Sequence, residues 1–182
     1  MPLEELLTRW SVRLSLLLYA ATLAAFLIGR TKPALLREAR LTWTAGCLLL
    51  WLHLAAAFHF YHHWSHEAAW RATARDTEAT IGLAFGTGVY FNYVFAVVWT
   101  IDAAWWWSTS PRSYYCRPRW AGILVHGFLI FMVINAAVLF ADGALRWIAA
   151  AMLVALAVLA SITRPRQSLP QKKVPDLAMS SR

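Results

Sequence analysis

Apolar and polar positions follow one another along this chain in long blocks rather than residue by residue. Five runs are apolar almost throughout: residues 10–29, 41–64, 89–107, 120–141 and 145–163. Each is close to the ~20 residues a helix needs to cross the hydrocarbon core of a bilayer. The pattern therefore predicts an all-α, polytopic membrane bundle of five transmembrane helices. Short polar blocks separate the runs. Arg30, Lys32, Arg37 and Arg40 form the first, and Arg112, Arg117 and Arg119, with Pro111 and Pro118, form the third. The second, residues 65–80, is Ala-rich and polar, which predicts that the second helix runs past the membrane surface or lies along it. Gly82 and Gly86 have the small-xxx-small spacing that lets helices approach closely, and Asp142-Gly143 predicts a tight turn. From Arg164 onward Pro165, Pro170 and Pro175 stand among Lys172 and Lys173, so residues 164–182 are expected to be a basic, disordered tail on a single domain of residues 1–163.

Composition supports a lipid environment. Of 182 residues, 60% are hydrophobic and eleven are tryptophan, more apolar surface than a soluble domain of this size can hide. The net charge of +8 would suggest nucleic acid in a soluble protein. Here the cations sit between apolar runs, which makes them topology signals and excludes that partner. Counting Lys and Arg on alternate sides gives N-out, C-in. Trp10, Trp64 and Trp147 would then mark the outer interface, and Trp43, Trp107 and Trp120 the inner one. Glu4 and Glu5 argue against a secretory signal at the start. Cys47 and Cys116 fall in different settings, so no disulfide framework is expected. The expected partners are the lipid bilayer of a bacterial cytoplasmic membrane and other membrane proteins or further copies of the chain.

Depth adds a second layer to the reading. Counting from the tryptophans at about 1.5 Å per residue puts Asp102 and His126 roughly 8 and 9 Å from the inner belt. On the same scale His59, Asn92 and Asn135 lie roughly 22–24 Å from it. Polar groups at such depths should face the bundle interior and find partners. An inner pair, Asp102 with His126, and an outer layer of His59, Asn92 and Asn135 are therefore expected. The fourth helix would be central and the Ala-rich fifth peripheral.

Five of the six histidines fall within residues 53–66. His59, His62, His63 and His66 have i, i+3, i+4, i+7 spacing, one face of a continuous helix, and could ligate a metal ion. His59-x-x-His62-His63 resembles one histidine box of the membrane fatty-acid desaturase and hydroxylase group. That resemblance covers five residues. The di-iron site it implies needs several such boxes, and the only other histidine lies at 126, so the activity does not carry over. Haem b would instead need facing imidazoles, for which His53 and His126 are the available pair. Three roles stay open: a metal- or haem-binding membrane subunit, a non-catalytic protein whose polar layers fix helix packing, and a small transporter or proton conduit on Asp102 and His126. No phosphate loop, nucleophile elbow or paired catalytic carboxylate is present.

Overall fold

The computed structural model describes residues 2–29, 34–139 and 143–163, and these are helical apart from short turns. The segment 30–33, Asp142 and the tail from Arg164 lie outside the described residues. Helix α1 (Leu3–Gly29) starts well before the first apolar run, because Glu4 and Glu5 suit the positive end of a helix and Arg9 reaches back to Glu5 at 2.7 Å. Helix α2 (Ala34–Phe60) stops four residues before its apolar run ends. His63 and Trp64 then take left-handed backbone, and Ser65 caps a separate helix α3 (His66–Ile81) by accepting from the Ala68 N–H at 3.2 Å. Gly82, with φ 75°, closes α3 by donating its N–H to the Glu78 carbonyl. Gly82 and Gly86 are thus a helix cap and a turn position, not a helix-packing pair. An added Cβ at Gly86 would sit 2.4 Å from the Trp70 ring.

Helix α4 (Gly88–Ser108) follows, then a short α5 (Pro111–Tyr115) with Ser110 as its cap. Helix α6 (Arg119–Ile134) continues into a π-helical segment (Asn135–Leu139), and α7 (Ala144–Thr163) completes the described chain. Four helices are long and apolar enough to cross a membrane: α1, α2, α6 with its π extension, and α7. At 21 residues α4 spans about 31 Å, although it is not one of these four.

Helices α1 and α2 form an antiparallel hairpin whose register is pinned by three polar contacts. The Ser15 hydroxyl donates to the Gly46 carbonyl at 2.7 Å, Thr22 and Thr42 share a 2.8 Å bond, and His53 Nδ1 meets the Thr8 carbonyl at 2.8 Å. Helix α4 packs on α2, α6 packs on α4, and α7 lies against α1 and the π segment rather than along α6. The centre therefore belongs to α2 and α4, not to α6 as expected, while α7 is peripheral as expected. One reason is Gly46, where a Cβ would come within 2.9 Å of Trp99. The missing side chain lets α4 seat its indole against the α2 backbone. Trp43 and Trp99 are wholly buried, their rings 4.9 Å apart, and Tyr19 packs on both. Trp43 is therefore a core residue rather than an interface marker, and Trp106 is buried as fully. Trp107 is half exposed, stacks under the Arg40 guanidinium at 4.0 Å and donates to Thr44.

Candidate functional site

The most polar part of the bundle's interior is built by the α4–α6 connector folding back into it. Pro118 stops α5 from running into α6, and the short turn at residues 116–118 aims Arg117 inward. Its guanidinium donates through one nitrogen to Asp102 of α4 and through another to Nε2 of His126 on α6, at 3.1 Å. Tyr114 of α5 donates its hydroxyl to the second Asp102 oxygen. Both carboxylate oxygens are thereby satisfied, in a pair whose side chains are 7% and 1% exposed. Burial first, and then the Asp102 carboxylate, push the Tyr114 phenol far above its ordinary value, so it stays a donor. Aromatic rings pack round the network. Tyr114 stacks flat on Trp106 at 4.3 Å, the Arg117 guanidinium lies 4.2 Å from the Tyr114 ring, and Phe26 of α1 stacks on Trp106 at 5.0 Å.

His126 takes its tautomer from this arrangement. A guanidinium can only donate, so Nε2 accepts and the ring proton sits on Nδ1. That N–H is buried and has no hydrogen-bond partner among the described residues, and the imidazole packs edge-on to Trp43 at 5.6 Å.

Beside the network lies a wedge of about 790 Å³ between α6 and α7, floored by α1. It exists because α7 leans on α1 and the π segment instead of closing along α6. Its walls are apolar: Leu23, Phe26 and Leu27 of α1, Ile130 and Ile134 of α6, Leu153 and Leu156 of α7. Tyr115, Cys116, Arg117, Arg119 and His126 gather at one end. Arg119 and Ile134 both line it, fifteen residues apart on α6, so it runs about 22 Å into the apolar zone.

The residues singled out from sequence fare differently. Asp102 and His126 do meet, but through Arg117, which sequence reasoning had assigned to topology alone. The signal that could have found Arg117 is the rule that a buried carboxylate needs its charge answered, with the nearest cations in the adjoining connector. His53 and His126 are not brought together. The His126 ring touches Trp43, and His53 lies ten residues further along α2, about 15 Å away and bonded to Thr8. The outer layer does not assemble either. His59 and Asn92 are exposed, and Asn135 donates to the Phe131 carbonyl one turn back.

The histidine face is broken by the end of α2 at Phe60. His59 packs on Phe60 and Trp64, and His62 on Phe58. His63 is exposed, in the left-handed turn. His66 heads α3 and bonds Tyr93 at 2.9 Å and Tyr90 at 3.2 Å. Among the described residues no group of three or more His, Cys, Asp or Glu could hold a metal ion, so the expected cluster of His59, His62, His63 and His66 does not form. Burial lowers the His62 pKa; Arg75 and His63 add to the shift and Asp76 opposes it.

Comparison of the chain with known protein families, with curated proteins and with solved structures finds no match.

Proposed function

We propose that the chain is a five-span membrane protein, N-terminus out and C-terminus in, that binds a lipid-like amphiphile with an anionic head. The observation that carries this reading is the wedge between α6 and α7, apolar along its length and polar at one end. At that end Asp102 offsets Arg117. Arg119 has no ion-pair partner among the described residues, so one cation remains to receive a head group. The apolar walls suit a hydrocarbon tail, and ligand sites of this size are mostly apolar with few convergent polar groups. The five-span topology is supported by α4 lying at the centre of the bundle between apolar neighbours. The orientation is supported by the cations flanking the connector end, where Arg37, Arg40, Arg112, Arg117 and Arg119 gather.

The test is photocrosslinking with a bifunctional fatty acid in native membranes. Tryptophan at Gly122 or Ala157 should fill the wedge and remove the adduct from peptides of α6 and α7. Equal labelling of these variants and the natural chain would overturn the proposal.

The Asp102–Arg117–Tyr114–His126 network also favours a structural role. Nearly all of its polar atoms are answered within the protein, which suits a lock that holds the connector under the bundle and shapes the wedge's polar end.

A further inference from the structure

The strained turn that ends α2 builds a second concave site at the opposite end of the bundle. His63 and Trp64 have φ 49° and 59°, a left-handed pair at two residues with side chains. The Trp64 N–H donates to the Phe58 carbonyl at 2.9 Å, and the Ser65 N–H to the His62 carbonyl at 2.8 Å, which hold the reversal in place. The reversal lays Tyr61 and His62 over the first turns of α3. Together they enclose an open cup of about 550 Å³, with Arg71, Arg75 and Asp76 on its far wall and Ala68 and Ala72 beneath. The alanines leave the room. Any larger side chain at those positions would occupy it.

Charge decides what the cup suits. Arg71 and Arg75 stand one helical turn apart and so share a face. Arg71 is tied to Glu67 at 2.5 Å, whereas neither Arg75 nor Asp76 has an ion-pair partner among the described residues. An uncommitted cation beside an uncommitted anion complements a ligand that carries both charges. Depth narrows the class. The cup adjoins the end of α2, an apolar helix long enough to cross a membrane, and Trp64 beside it is 66% exposed, as an interfacial tryptophan would be. That is the level at which lipid phosphates and amines lie.

We propose that this cup binds the headgroup of a zwitterionic phospholipid, with the phosphate facing Arg71 and Arg75 and the ammonium facing Asp76. Tyr61 and His62 cover the headgroup from the α2 side. The site is separate from the wedge and does not depend on what the wedge holds.

The experiment is native mass spectrometry in detergent of the full chain with the wedge filled by Gly122→Trp, offered an equimolar mixture of chain-matched phosphatidylethanolamine, phosphatidylcholine and phosphatidylglycerol. The two zwitterionic lipids should be retained over phosphatidylglycerol. Arg75→Gln should weaken their retention by roughly tenfold, the loss of one charge-assisted contact. Asp76→Asn should abolish the preference over phosphatidylglycerol. Ala72→Leu, which fills the cup and changes no charge, should remove one bound lipid, while Arg9→Gln should change nothing. Equal retention of all three lipids by the wedge-filled chain would overturn the proposal, as would an unchanged preference when Asp76→Asn is added to it. Saturable binding of soluble O-phosphoethanolamine without lipid selectivity would also overturn it, by making the ligand a free solute.

Discussion

The buried Asp102–Arg117 pair should behave as a unit whose halves are worse apart than absent together. Removing one member leaves its partner's charge in a site that excludes water, which typically costs about 3–5 kcal/mol. Replacing both with apolar residues of similar volume is often close to neutral. The geometry also predicts an asymmetry. Asp102 is fixed mid-way through the last turns of α4 and cannot reach water, whereas Arg117 sits on a short connector and can swing toward lipid headgroups. Arg117→Met should therefore be more damaging than Asp102→Leu, because it also strips the donor from His126 Nε2. For a chain of this size the single substitutions should lower the midpoint of thermal unfolding in detergent by roughly 6–20 °C. Circular dichroism of the purified variants measures this directly. The double variant Asp102→Leu/Arg117→Met should be more stable than Arg117→Met alone. A double variant whose loss equals the sum of the two singles would refute the reasoning and show that the charges do not act on each other.

Other outcomes follow from single contacts. The natural cysteines report topology: Cys116 is exposed in the connector and Cys47 buried, so an impermeant thiol reagent should spare intact cells and label inside-out vesicles at Cys116. Labelling of intact cells at that position would reverse the N-out orientation. Gly46→Val should destabilise by about 1–3 kcal/mol by pushing Trp99 off α2, read as a lowered unfolding midpoint. Ser15→Ala removes the buried bond to the Gly46 carbonyl and should cost only about 0.6 kcal/mol, the usual worth of such bonds between membrane helices.

Much of this architecture is legible in the sequence because lipid imposes a simple rule on it. Long apolar runs become helices, and the runs at 89–107 and 145–163 match α4 and α7 almost to the residue. Depth counting put Asp102 and His126 at one level, and in the structure it is Arg117 that contacts both. What it missed depends on which way a side chain turns. Asn135 satisfies itself on its own helix, an option always open to a short polar side chain. Tryptophan suits both the headgroup belt and a core, so Trp43 could not be placed from its position alone. The break after Phe60 has no proline or glycine to announce it, and the left-handed His63-Trp64 pair is a conformation that composition argues against. With that break went the continuous histidine face on which the metal reading depended.

The loose seating of α7 bears on how the molecule is assembled. The main buried cluster draws its fully buried side chains from α1, α2, α4, α5 and α6, while α7 contributes Leu153, partly buried against it. A nascent chain can therefore complete most of this cluster before α7 leaves the ribosome. That helix would arrive late, against a bundle already largely packed, and the lipid present at that moment would be the first thing it traps.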